Sequence, residues 1–367
     1  MTGKPNSVAA FLAASLLSLC AHGAEAAEAD DAAAAMSARV DELVQARWEA
    51  EGGAPSARSS DAEFHRRAYL DLCGLIPTVA ESRDFLADES PDKRAQLIDS
   101  LLAGPNYPTH LAGIWRRMLL PDEMPGGAGE LAGFQAWLRD QFLENHRYDN
   151  IVADLLVTRG SASGMRPTLF YTAAALKPEA LATTTSRVFL GVQIGCAQCH
   201  DHPFDDWSQR DFWGYAAFFA RLSRPEEDAA MTMMEVVDLG NGEVTLPESD
   251  EIVPPKYLGT ASDAADRDDN RRRQLAIWMA SRDNPFLARA AVNRVWGQLF
   301  GRGLVEPVDD FGPHNPPSHP QLLDELSEYF VRSGFDLREM YRVLANTETY
   351  QLSSRVAADE EETPVEL

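Results

Sequence analysis

Apolar residues recur at helical spacing along most of the chain, and glycine, proline or a capping side chain marks each break. Val40, Leu43, Val44 and Trp48 set a helix over 36–51. After a break at 52–60, Asp61 reads as the N-cap of a helix carrying Phe64, Ala68 and Leu72, which Gly74 stops. Thr78 and Ser90-Pro91 open short helices over 79–87 and 92–103. Helical patterns follow at 109–119, 131–145 and 148–158, and 159–172 reads as a loop. Pro178 starts a helix to about residue 194 through Leu181, Val188, Phe189 and Val192. Ser208 caps an aromatic helix containing Phe212, Trp213, Tyr215, Phe218 and Phe219. In 233–253 the period changes. There Val236 and Val237 precede Asn241-Gly242, and Val244 and Leu246 return, which predicts a β-hairpin with a two-residue turn. A polar linker at 263–269 leads to four more helices, at 271–280, 285–300, 320–332 and 336–346. No internal repeat is present. The expected fold is mainly α: a multi-helix domain over 36–222, a small β-hairpin and linker over 223–269, a second helical domain over 270–357, and an acidic tail at 358–367.

Composition narrows the function classes. With 45% hydrophobic and 25% charged residues, the 367-residue chain is globular in character. Its formal net charge is −24, from 57 acidic against 33 basic residues. So acidic a surface repels nucleic acid, which argues against a nucleic-acid partner, and suits solubility first and a basic partner second. The N-terminus reads as a signal peptide over 1–26. Lys4 is followed by an apolar run over 8–19 and an Ala24-Glu25-Ala26 cleavage site. That run is too short to cross a membrane, and no later stretch reaches the ~18 apolar residues of a span. The expected location is therefore outside the cytoplasm, in the periplasm or at the cell surface. Cys20 offers a lipid anchor, but Leu19 is larger than the small residue such sites prefer.

Three cysteines remain beyond the signal. Cys73 lies in an apolar stretch and reads as a small buried residue. The other two form Cys196-Ala-Gln-Cys-His200, the spacing that attaches a c-type haem. Cys196 and Cys199 would add across the two vinyl groups, and His200 would ligate the iron from the same loop. Export fits this, because the attachment takes place on exported chains. The rival uses of the pair are another metal or thiol chemistry. A thioredoxin-like βαβ setting is missing, and a zinc site would need further ligands that the crowded Cys-His-Asp-His run supplies poorly.

The neighbours divide between functional and structural readings. His202 is too close to His200 to reach the opposite haem face, which leaves a propionate contact, an outer contact or a polar loop position. Asp201 and Asp205 are likewise outer contacts or helix-start residues. Phe204, Trp207, Trp213, Phe218 and Phe219 suit a haem wall and core packing alike, with packing favoured for any single ring. The sixth iron ligand is open among Met231, Met233, Met234, His319 and none. Each methionine also reads as hairpin filling, and His319 as a helix-start residue. No Ser/His/Asp grouping, phosphate-binding glycine loop or metalloprotease motif argues for another enzyme.

Longer motifs extend the picture. Phe64-His-Arg-Arg-Ala-Tyr-Leu-Asp-Leu-Cys-Gly-Leu-Ile-Pro-Thr78 and Phe189-Leu-Gly-Val-Gln-Ile-Gly-Cys-Ala-Gln-Cys-His-Asp-His-Pro-Phe-Asp205 resemble the planctomycete-type cytochrome-like domain family of exported proteins. Asn284-Pro-Phe-Leu-Ala-Arg-Ala-Ala-Val-Asn-Arg-Val-Trp296, the run over 300–311, Asn315-Pro-Pro-Ser-His-Pro320 and Thr349-Tyr-Gln-Leu-Ser-Ser354 are similar to the domain of unknown function that usually follows it. Together they cover about 36–357. The resemblance implies Cys196, Cys199 and His200 as the haem site. Cys73 stands where the family pattern has threonine. The chain stops at Leu367, sooner than its relatives, so the second domain reads as shortened. The leading expectation is an electron carrier with one covalent haem c and a redox partner protein. The alternatives are a haem-dependent oxidoreductase acting on peroxide or a carbohydrate-type substrate, and a scaffold that haem or metal stabilises.

Overall fold

Capping side chains fix the start of several helices. The computed structural model describes residues 7–122, 128–161, 166–223, 234–264 and 270–354. Helix α1 (Ser7–Glu51) contains the segment expected to be helical and buries Val40 and Val44. Helix α2 (Asp61–Cys73) is capped one residue earlier than expected. Ser60 Oγ accepts from the Glu63 N–H, which leaves Asp61 free to pair with Lys93 and Arg94. Thr78 and Glu81 form a capping box at α3 (Val79–Ala87). Helices α4 (Lys93–Ala103), α5 (Asn106–Leu119), α6 (Ala128–Leu143) and α7 (Tyr148–Val157) follow the expected series within a few residues. The expected loop at 159–172 instead holds a two-residue strand, β1 (Gly160–Ser161), and a short helix, α8 (Leu169–Ala173).

Helix α9 (Pro178–Thr185) runs into a single π-turn, Ser186–Leu190, and ends at Gly191 rather than near residue 194. A 3-10 turn (Gly195–Gln198) then leads to α10 (Gln209–Ala216), where Ser208 and Asp211 form the capping box that the sequence signals. The last third comprises α11 (Arg271–Met279), α12 (Leu287–Phe300), α13 (Pro320–Arg332) and α14 (Leu337–Ala345). The protein is mainly α, with two small antiparallel sheets.

The β segment pairs differently from the expected hairpin. Strand β2 (Glu235–Val236) pairs with β1, and β3 (Val244–Thr245) pairs with β4 (Ile252–Val253). The stretch before Asn241-Gly242 has no edge left for the stretch after it. Beyond the β1 pairing, the Ser223 N–H donates to the Val237 carbonyl and the Leu239 N–H to the Arg221 carbonyl. The chain around residues 246–251 makes the β3–β4 turn, with the Leu246 N–H bonded to the Glu251 carbonyl. Among the described residues no helix is long and apolar enough to cross a membrane. The expected linker core (265–269) and acidic tail (358–367) lie outside the described residues.

One apolar cluster runs from Val40 through Phe64, Phe189 and Phe212 to Leu299, Phe330 and Leu344. Near its end the stretch after α14 folds back over α2. The Ser59 N–H donates to the Gln351 carbonyl, and Arg67 donates to the Leu352 carbonyl at 2.9 Å. Tyr350 donates its hydroxyl to Asp71 Oδ2 at 2.8 Å. Burial pushes the Asp71 carboxyl up to about 6, although Tyr350 and Arg67 pull it down. A carboxyl raised on folding adds stability below its unfolded pKa, near 3.8, and that contribution is lost as pH rises through about 6. Asp71→Asn should therefore be nearly neutral in stability near pH 3.5 and stabilising by about 3 kcal/mol at pH 7. Urea unfolding at the two pH values measures this, and equal shifts at both would contradict it. Cys73, nearby, is buried as expected, and burial pushes its thiol up to about 11, out of reach of thiolate chemistry at neutral pH.

Candidate functional site

The Cys196–His200 loop sits at the surface because its backbone turns there. The π-turn inserts an extra residue before Gly191, whose φ of 70° closes the helix in the left-handed region. Gly191 also has Phe311 packed on it, and its carbonyl accepts from the Phe311 N–H at 2.8 Å. Ile194 and Ala197 are buried and hold the following 3-10 turn to the core. The alternate positions face outward, so Cys196, Cys199 and His200 are all exposed.

Helix α10 fixes this loop from below. Gln209 donates through Nε2 to the carbonyls of Gln198 (3.3 Å) and Cys199 (3.0 Å). Trp213 Nε1 donates to the Gln198 carbonyl at 3.1 Å, and the Gln209 N–H is taken by Asp201 Oδ1 at 2.8 Å. Asp201 is thus a helix-start acceptor. His200 Nδ1 lies 2.7 Å from the Asp201 carbonyl. That acceptor requires an Nδ1–H tautomer, which leaves the Nε2 lone pair outward. Both cysteines are free thiols. Cys196, Cys199 and His200 do not converge on a single point in the manner of a preformed zinc cluster.

The other residues weighed from the sequence separate clearly. His202 is a loop-closing residue, since its Nδ1 accepts from the N–H groups of Phe204 (3.3 Å) and Asp205 (3.0 Å). Phe218 and Phe219 are fully buried core, Trp207 and Trp213 half-buried, and Phe204 is 76% exposed. Met231 and Met233 lie outside the described residues. Met234 packs on the core beside a cleft of about 590 Å³ lined by Trp213, Phe219 and Val244. His319 is the N-cap residue of α13, bonded to Ser318 and set near Arg47 of α1.

A second group stands beside the loop, and sequence reasoning assembled only one of its members. Asp205, Asp310 and His314 bring one ligand-type atom each to within 4.8 Å of one another. His314 Nδ1 is 3.0 Å from Asp205 Oδ1, and its Nε2 is 3.3 Å from Asp310 Oδ2. The two carboxylates, Asp205 first, raise the His314 pKa above its ordinary value. Asp309, the preceding residue, anchors this segment. It accepts from Gln193 Nε2 and Arg187 NH1, both at 3.2 Å, next to the π-turn. Asp310 and His314 lie four residues apart in an irregular segment, where that spacing carries no helical signal, and Asp205 lies 109 residues away from His314.

The comparisons with known families fall on either side of this seam. Residues 39–224 match PSCyt2, a protein of unknown function (DUF1549), over 186 of the chain's 367 residues. The chain belongs to the PSCyt2 family. Residues 271–366 match PSD1, a protein of unknown function (DUF1553). No curated protein and no solved structure matches the chain. The PSCyt2 segment thus supplies the Cys196–His200 loop and Asp205, and the PSD1 segment supplies Asp310 and His314.

Proposed function

We propose that this chain is an exported electron carrier with one haem c bound through Cys196 and Cys199, with His200 as the iron ligand. The observation that carries the reading is the outward, fixed presentation of all three donors on one loop. Two free thiols stand exposed with two residues between them, the sequence spacing of c-type haem attachment, and the Asp201 carbonyl orients His200 with Nε2 available. The donor set therefore fits the group. When bound, haem supplies one-electron exchange between ferric and ferrous iron, with the electron coming from or going to a partner protein.

The chain's own residues set the terms of that exchange. Gln209 and Trp213 hold the loop backbone at the Gln198 and Cys199 carbonyls, and would keep the three donors in place around a bound haem. The hydrogen bond to the Asp201 carbonyl would make His200 Nε2 a stronger donor to a bound iron. Exposure of the loop brings a partner within electron-transfer reach without a conformational step.

The test is a pyridine-haemochrome spectrum and a denaturing-gel haem stain of protein exported in a host with c-haem maturation machinery. Wild type should carry one covalent haem per chain, and Cys196→Ser/Cys199→Ser none. Folded, exported wild type without haem would overturn the reading. Haem that persists in the double variant would show that the thiols are not the attachment points.

A further inference from the structure

We propose that Asp205, Asp310 and His314 form a binding site for one divalent first-row transition cation, zinc or manganese, at the seam between the PSCyt2 and PSD1 segments. The site is independent of the haem reading, since none of its three residues belongs to the Cys196–His200 loop.

The geometry comes first. Two carboxylates and an imidazole are a ligand set for a borderline cation, with Zn–O and Zn–N bonds of about 2.0–2.2 Å. Ligand atoms on one tetrahedral ion of that bond length are about 3.3–3.6 Å apart. The three atoms already lie within 4.8 Å, and the shift that remains falls on Asp310 and His314, which are partly exposed.

The second observation concerns Asp205. Its side chain is only 3% exposed, and His314 Nδ1, 3.0 Å from Oδ1, is the side-chain hydrogen-bond partner its carboxylate has among the described residues. The nitrogen facing it, His202 Nδ1 at 4.0 Å, is already the acceptor of two backbone N–H groups and has no proton to give. A carboxylate taken this far out of water keeps its charge at low cost only beside a cation, which a metal ion supplies as well as a protonated histidine does. His314 supplies one contact, and a bound ion would satisfy the carboxylate and link the remaining residues.

The third observation is access. Asp205 lies on a cleft of about 380 Å³ shared with Trp207, Lys256, Thr260, Phe311 and Gly312. An ion with three protein ligands keeps coordination positions open towards this space, as catalytic zinc sites do and closed structural ones do not. Gly312 makes the approach feasible. A Cβ there would lie 2.8 Å from Asp205 Oδ2 and 2.8 Å from the His314 ring, so only glycine lets the backbone pass beneath the carboxylate.

The test uses the full chain, stripped with chelator and dialysed against Zn²⁺, with zinc measured by elemental analysis separately from iron. It is run in wild type, Cys196→Ser/Cys199→Ser, Asp310→Asn and His314→Gln, each checked for folding by circular dichroism. Wild type and the cysteine variant should retain one zinc per chain and gain thermal stability from it. Asp310→Asn and His314→Gln should bind it more weakly, by no less than the ~10–100-fold that changes around a metal's ligands cost. Either variant decides the matter if the other fails to fold. Mn²⁺ should give an electron paramagnetic resonance signal of bound ion that the same two variants lose, whereas Ca²⁺, which takes oxygen ligands, should not raise the melting temperature. Three results would overturn the site: no zinc in wild type, zinc retained unchanged by both Asp310→Asn and His314→Gln, or zinc lost with the cysteines alone. The first would leave the three side chains as an ion-paired histidine.

Discussion

Replacing Arg272 with methionine should lower the unfolding free energy by about 3–5 kcal/mol, the cost of stranding a buried charge. Arg272 is 1% exposed and lies on α11, where it faces α7 and β2. Its guanidinium grips Asp238 with two bonds of 2.7 Å and donates to the carbonyls of Leu156 (3.0 Å) and Thr158 (2.8 Å). Its planar head also lies 4.9 Å from the centre of the Tyr171 ring. Methionine fills much of the volume but leaves the Asp238 carboxylate, itself 9% exposed, with only Arg159 among the described residues, and that side chain is largely in solvent. The Thr158 carbonyl loses its donor as well. Urea unfolding followed by circular dichroism measures the loss. A loss under about 1 kcal/mol would mean that water or Arg159 already serves Asp238. Arg272→Met combined with Asp238→Leu should recover most of the stability, since removing both charges is far cheaper than removing one.

That cluster also shows where sequence reading stops. Helix positions were legible because their signals are local. Thr78 with Glu81, Ser208 with Asp211, and Pro320 each declare a helix start within four residues. The Asn241-Gly242 turn failed because a local signal was overruled from a distance, when the strand before it took its partners from residues 160–161 and 221–223. The end of the α9 run failed for a smaller reason. Apolar spacing continues to Ile194, but the π-turn shifts the register and Gly191 ends it. The Cys196–His200 loop was readable because its donors lie within five residues. The neighbouring site was not, because Asp205 and His314 meet only when the two family segments pack together. Asp205 was recognised as an outer contact or helix-start residue, whereas His314 sits in a proline- and glycine-rich run that gives no periodicity to read.

The residue that makes that meeting hold is Asn293, so Asn293→Ala should cost about 2–4 kcal/mol and loosen the second site with it. Asn293 is completely buried on α12. Its Nδ2 donates to the carbonyls of Val305 (2.9 Å) and Val308 (3.1 Å), and its Oδ1 accepts from the Val305 N–H at 3.0 Å. Three backbone groups of an irregular segment therefore depend on one side chain, and alanine leaves all of them without that partner, the two of Val305 buried. That segment runs directly into Asp309 and Phe311, which tie it to Gln193, Arg187 and Gly191 ahead of the Cys196–His200 loop. Thermal and urea unfolding give the stability term. Zinc retention by whatever fraction remains folded gives the site term, which should fall, while haem staining of the same fraction should not. The two loops would then be separable, one held by α10 through Gln209 and Trp213 and the other by α12 through Asn293. If alanine at 293 left stability and zinc retention unchanged, the segment would be positioned by the Asp309 pairing alone, and the role assigned to Asn293 would be wrong.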